Sequence, residues 1–218
     1  MESDLHGVTN PGPNIVPLTP DEWDETARDA LAAFPAGFRF VMNGWSAGDR
    51  QVRGVNVLGT LAHYPALAKA FCTFNAHVAA ASTLSARDRE IAILRVSWLR
   101  HAEYEFVQHL ILGKRAGLSD EELERLQHGP DAAGWSADDA DLVRAVDELH
   151  ALSRIAPATW KRLARRYDPS QLLDLLFLIG CYETLALVIN SIGTPVEAGA
   201  PPLDAATRHR LLTSKASA

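Results

Sequence analysis

Cysteine is almost missing from this chain: Cys72 and Cys181 are the only two in 218 residues. They lie far apart among apolar neighbours and read as buried thiols in a reducing compartment rather than as a disulfide or a redox pair. Positive charge is also short. Lys and Arg number 21 against 27 Asp and Glu, a net charge of −6, which argues against a nucleic-acid-binding face. The first residues lack the basic and apolar regions of a signal peptide, and no apolar run reads as long enough to cross a bilayer cleanly. The expected setting is therefore cytoplasmic, with neither membrane nor nucleic acid as a partner. Runs of alternating apolar and polar residues bounded by turns are absent, so strands are not expected and an all-α fold is. With 47% hydrophobic residues, the chain can bury a sizeable core, most simply as one domain.

What is present concentrates between Leu84 and Leu118, where polar residues sit in an unusually apolar helical setting. Ser85 and Asp88 form an N-cap and a first-turn acid, and Ile91, Leu94, Trp98 and Leu99 recur at helical spacing, which predicts a helix over Ala86 to Leu99. Arg100 and His101 are the expected junction to a second helix over Ala102 to Ala116, with Gly117 as its stop. Glu90 and Ser97 share a line flanked by Ile93 and Leu94, with Asp88 and Arg95 opposite, so Glu90 is expected to be partly buried. Glu105 and His109 stand four positions apart, on one helix face and within reach of each other. Glu103 falls about 200° around the same helix from Glu105, so those two carboxylates are not expected to serve one site.

With this spacing the chain resembles the alkylhydroperoxidase D and carboxymuconolactone decarboxylase superfamily. Its peroxidase branch carries a Glu, a Cys-x-x-Cys and a His, a pattern that falls here on Glu90, Ala102, Glu105 and His109. The Glu and the His match; neither Cys does. The surrounding text, LSARDREIAILRVSWL, EYEF and RAGLS, is similar to decarboxylase-like members. So are LGTLAHYPAL (Leu58 to Leu67) and IGCYETLALVINSIGTP (Ile179 to Pro195). The resemblance implies an AhpD-like helical bundle, assembled as a homo-oligomer with active sites near subunit contacts. It disfavours thiol peroxidase activity, because Ala102 and Glu105 can neither attack a peroxide nor resolve a sulfenic acid.

The rest of the chain supplies candidates around this centre. Residues 1–18 read as a mobile arm, 19–197 as the helical domain, and 198–218 as a tail, mobile or docked on a partner subunit, with a short helix near Ala205 to Leu212. Thr19 and Pro20 are expected to open a helix running to Phe34. The stretch Pro35 to Asp49, rich in glycine but holding Phe38, Phe40, Met42 and Trp45, reads as a connection, packed under a loop or walling a substrate pocket. Arg53 and Asn56 share a helix face and are candidates to hold a substrate carboxylate. His63 sits at a His-x-Pro break, as a cap or a pocket residue. Trp98 is a further substrate-binding candidate. Asp168, Pro169 and Gln171 launch a long helix to Ser191 that is apolar nearly all round, for burial in the core or at a subunit interface. On it, Tyr182 and Glu183 either bond a neighbouring helix or border the site or the subunit interface.

For function, the resemblance implies a cofactor-independent lyase or related proton-transfer enzyme on a small carboxylated or lactone substrate. His109 would be the general acid/base, Glu105 would orient it or donate a proton, and Glu90 would set its charge state, with Arg53 as an anion anchor. Two alternatives use the same residues. One is a metal site made from Glu105 and His109 with Glu90 or His63; the other is a non-catalytic member that binds a ligand or a partner.

Overall fold

A computed structural model describes residues 12–213. Among the described residues there are eleven α-helices and one π-helical turn, and no strand. In chain order they are α1 (Glu25–Leu31), α2 (Pro35–Ser46), α3 (Val55–Leu61), α4 (Pro65–Ala76) running into a π-turn (His77–Ala81), α5 (Ala86–Leu99) and α6 (Glu103–Arg115). There follow α7 (Asp120–Arg125), α8 (Ala137–Leu152), α9 (Pro157–Arg166), α10 (Pro169–Ile192) and α11 (Ala205–Thr213). The expected all-α class is what the chain adopts.

The capping residues do what their chemistry dictates. Ser85, Ser136 and Asp168 each accept a backbone N–H in the first turn of α5, α8 and α10, and capping boxes form at Ser119/Glu122 and Asp168/Gln171, satisfying N–H groups that the helix cannot. Helix α5 is the axis of the bundle. Every residue from Glu90 to Leu99 is buried, and the helix packs against α6, α8 and α10. Its two polar sides are satisfied differently. Arg95 grips both carboxylate oxygens of Asp147 on α8, at 2.6 and 2.8 Å, while Asp88 takes Arg166 of α9 at 2.6 Å. The opposite side, carrying Glu90, faces α6.

The apolar residues form two main clusters. One surrounds α5, α8 and α10; the other joins α1 through α4 around Trp23, Leu31, Val41 and Leu58. The site described below lies where they meet.

Three local expectations are corrected. The first helix starts at Glu25 under an Asp24 cap rather than at Pro20, because Glu22 is tied back to the Thr19 backbone and hydroxyl at 2.8 Å in a turn of its own. Pro35 to Ser46 is helix α2 and not a connection: Pro35 takes the first-turn position where its missing N–H costs nothing, and Val41 and Trp45 are buried one turn apart. The segment after residue 198 packs on its own chain. Leu211 is fully buried, its carbonyl lies 2.7 Å from His101 Nδ1, and Arg208 holds Glu103 of α6. Of the expected arm, residues 1–11 fall outside the described residues. Asn14 is bonded to the Ile192 and Ser191 carbonyls, and Leu18 to the Gly59 carbonyl.

Helix α10 also departs from the expectation that no run could span a bilayer. It is long and apolar enough by length and composition, with a mean hydropathy of 2.1 over 18 residues, of which 50% are buried. Here it packs as a bundle helix against α5.

Candidate active site

The antiparallel return from α5 to α6 is a tight turn through His101, which adopts φ 54°, uncommon for a residue with a Cβ. The His101 ring bond to the Leu211 carbonyl helps to hold it there. This turn brings two residues nineteen positions apart together: His109 Nδ1 lies 2.8 Å from Glu90 Oε2. Both side chains are 12% exposed. With Glu90 ionised, the carboxylate accepts the Nδ1 proton, which leaves Nε2 as the basic nitrogen of a neutral imidazole. The edge of Tyr182, from α10, meets the His109 ring at a centroid distance of 5.1 Å and 88°.

Glu105 does not pair with His109 as the four-residue spacing suggested. Its residue is 2% exposed, and neither carboxyl oxygen has a hydrogen-bond partner among the described residues. Burial therefore pushes its carboxyl well above the ordinary carboxylate range, which favours the neutral, proton-bearing acid. Burial, followed by the Glu90 carboxylate, likewise pushes the Tyr182 phenol well above its ordinary range. The orienting partner of His109 is thus Glu90, and Glu105 is a second, separate acid.

Glu90, Glu105, His109 and Tyr182 line one cavity of about 350 Å³, within the range of small-molecule sites. Its apolar walls come from both clusters: Phe34 and Phe40 from the start of the chain, Val57 from α3, Ile93 from α5, Leu112 from α6 and Leu185 from α10. The π-turn contributes Ala79 and Ala80. Arg53 and Arg115 also line it.

Of the other expected binding residues, only Arg53 reaches this cavity. Asn56 is a structural clamp, its side chain donating to the Pro195 carbonyl at 2.9 Å and its backbone to Glu197 at 3.0 Å. His63 is exposed and bonds the Val16 carbonyl at 2.8 Å. It acts as a fastening for the first described residues, and it is remote from any set it was expected to complete. Trp98 is core, packed against Phe106 at 5.4 Å. Glu183 is paired with Arg100 at 2.9 Å and with His150 at 3.4 Å. No group of three or more His, Cys, Asp and Glu among the described residues is arranged to hold a metal ion.

Sequence reasoning missed Glu197, Arg115, Tyr104 and Gln108. Glu197 is buried and accepts from Tyr104 OH at 2.9 Å and Gln108 Nε2 at 2.6 Å; both donors line the cavity. A lone acid in a run of small residues just past α10 was the available signal. Arg115 gave none, since a cation in a last helical turn is the ordinary complement to the dipole.

Residues 65–148 match the sequence model of the carboxymuconolactone decarboxylase family. The similarity to that family is confined to this stretch, less than half of the chain. The match covers α4 through most of α8, so Glu90, Glu105 and His109 lie inside the matched stretch, while Arg53, Tyr182 and Glu197 lie outside it. No curated protein matches the chain significantly. Among solved structures, a protein of unknown function from Agrobacterium tumefaciens, named for AhpD antioxidant defence, superposes with a TM-score of 0.56 at 14% identity. The match spans 66% of this chain and 96% of that one. At that identity the likeness shows the shared AhpD-like helical fold.

Proposed function

We propose that this carboxymuconolactone decarboxylase-like protein is an acid–base enzyme, a lyase or proton-transfer catalyst acting on a small carboxylated or lactone substrate through its own side chains. The observation that carries this reading is the pairing, in one apolar cavity, of a carboxylate-supported imidazole with a buried carboxyl that has no partner. A buried, unpartnered polar group is costly to stability and needs an explanation. A proton donor held neutral at pH 7 provides one.

In this mechanism His109 Nε2 takes a proton from the substrate, and Glu90 stabilises the imidazolium that forms. Glu105 gives its proton to the carbon or oxygen where negative charge develops. For a proton shift the two groups exchange roles and no net proton is consumed. For loss of carbon dioxide, the carbon that keeps the bonding electrons is protonated in the same way. The Tyr182 phenol stands beside both acids as a further donor to a developing oxyanion.

The thiols support this assignment over peroxide reduction. Burial pushes Cys72 up to about 11, and burial together with Glu105 pushes Cys181 up to about 12, whereas the nucleophile is the thiolate. Neither thiol occupies the positions of Ala102 or Glu105.

The test is mass spectrometry of a pooled small-molecule extract incubated with wild type, His109→Ala and Glu105→Gln. A compound consumed only by wild type, with a product of equal mass or one lighter by carbon dioxide or water, is the expected result. Identical mixtures from all three proteins would overturn the reading and favour a ligand-binding role.

A further inference from the structure

The acid–base centre leaves two cations of the cavity without a role. Arginines elsewhere in the chain, Arg87, Arg95 and Arg166 among them, grip carboxylates at 2.5 to 2.9 Å. Arg53 and Arg115 have no carboxylate within ion-pair distance among the described residues, although both line the cavity. Arg53 is half-buried, with its guanidinium 5.5 Å from the Phe40 ring centroid. Burial, followed by the like charge of Arg115, draws its pKa down, so the two guanidiniums are near enough to repel. The closest acid, Glu197, already accepts from Asn56, Tyr104 and Gln108. Two cations lining one largely apolar cavity, neither in ion-pair contact with a carboxylate, leave a positive potential there that Glu197 offsets only in part.

Neither arginine is paired with the acid. The shift of Glu105 has burial as its cause and no contribution from either arginine, while Arg53 acts on Tyr104 and Glu197 instead. The same cavity is lined by Ile93, Leu112 and Leu185, with Phe40 against Arg53. A ligand matching this lining carries one anion, an apolar body and a hydrogen-bond acceptor.

We propose that Arg53 and Arg115 form the carboxylate-binding end of the cavity. The ligand is accordingly a small oxo-monocarboxylic acid whose carboxylate is a retained handle and whose carbonyl oxygen accepts a hydrogen bond from Glu105. Two guanidiniums stabilise the carboxylate in the ground state, which opposes its loss as carbon dioxide. Any bond broken in turnover therefore lies at the Glu105 end. The carbonyl half of this assignment rests on the acid–base reading; the carboxylate half does not.

Calorimetric titration of the full chain with 4-oxo-4-phenylbutanoate, 4-phenylbutanoate and the methyl ester of each tests both halves. On wild type, each acid is expected to bind about tenfold or more tightly than its ester. Arg53→Gln should weaken the acids about tenfold, and the more exposed Arg115→Gln about threefold, with ester binding unchanged as an internal measure of folding. The double variant should bind acid and ester alike. Glu105→Met should abolish the preference for the oxo acid over 4-phenylbutanoate yet keep that for acid over ester.

Equal binding of acid and ester to wild type, no binding of either acid, or an acid preference surviving in the double variant would each overturn the handle. An oxo preference unaffected by Glu105→Met would overturn the carbonyl contact alone. Failure of the His109→Ala turnover test, with these titrations as expected, would remove the reaction and leave the binding site.

Discussion

At the scale of single residues, Glu105 sets function against stability. A carboxyl buried with no hydrogen-bond partner destabilises the fold, and an apolar side chain of similar length should remove that cost. Glu105→Met is expected to raise unfolding free energy at pH 7 by about 1 to 3 kcal/mol while abolishing turnover. The gain depends on pH in a defined direction. One part of the gain is independent of pH, since the neutral carboxyl is also unpartnered. Because the folded carboxyl keeps its proton to higher pH than the unfolded one, a second part is absent below about pH 4, where both states are protonated. It grows as pH rises through the ordinary carboxylate range until the folded group itself ionises. Denaturant melts of both proteins from pH 4 to 8 check this: a gain that is constant with pH would mean that the native carboxyl titrates as the unfolded one does and is not held protonated by burial. Glu90→Gln probes the other acid. It keeps an oxygen beside His109 Nδ1 but removes the charge that supports an imidazolium, so kcat on the substrate found by the extract experiment should fall about 10²-fold or more. An unchanged kcat would make the pair structural. The sequence alone put Glu90, Glu105 and His109 in one neighbourhood through the family spacing. It misassigned the partner of His109, because helical geometry reports which residues share a face and does not report which neighbour across the α5–α6 return presents an oxygen.

At the scale of elements, what was legible followed local chemistry. The caps at Ser85, Ser119, Ser136 and Asp168 and the N-terminal prolines of α9 and α10 are signals contained in four or five residues, and each helix began where they stood. Helix α2 was lost because Gly37, Gly44 and Gly48 read as breakers. Two of them are packing glycines instead: a Cβ on Gly44 would run into Val52 and one on Gly37 into the Phe34 ring. Such close approaches are tertiary facts invisible in one sequence. The same holds for the π-turn after α4, which Asp174 of α10 fastens to the neighbouring strand of chain. Burial raises the Asp174 carboxyl, but the Thr83 N–H and hydroxyl, at 2.6 and 2.7 Å, and His77 at 2.9 Å outweigh it and hold the group at about 2. That depressed value stabilises the fold above the unfolded pKa near 4 and ceases to do so as pH falls towards 2. Asp174→Asn should thus cost about 2 kcal/mol at pH 7 and little at pH 2.5, read as denaturant midpoints at the two pH values. A loss equal at both would assign the effect to the hydrogen bonds alone. Because Ala79 and Ala80 of this turn line the cavity, ligand affinity should fall with it.

At the scale of the whole molecule, the question is what covers α10. Its inner side fills the core with Leu175, Leu178, Ile179 and Tyr182. On its outer side Leu173, Phe177 and Leu187 are each more than half exposed. With Gly180, Thr184 and Ser191 these lie along one line of the helix at intervals of three and four residues. Phe74 of α4 meets Phe177 edge-on at 6.0 Å and widens the stripe. Isolated apolar residues on a surface need no explanation, but a continuous stripe on a 24-residue helix does. A straight helical stripe with a small residue between large ones is self-complementary about a two-fold axis. A homo-oligomer, expected from the family resemblance, would use α10 against α10, with Phe74 at its edge. Light scattering of Leu173→Glu/Phe177→Glu should give the monomer mass, against a multiple of 23.7 kDa for wild type. Circular dichroism should be retained, because both side chains point away from the core. A monomeric wild type would refute the contact, and so would an unchanged oligomer in the variant. None of the stripe residues lines the cavity, so the monomeric variant should still bind 4-oxo-4-phenylbutanoate. A variant that is monomeric, folded and unable to bind would mean that the partner copy shapes the site.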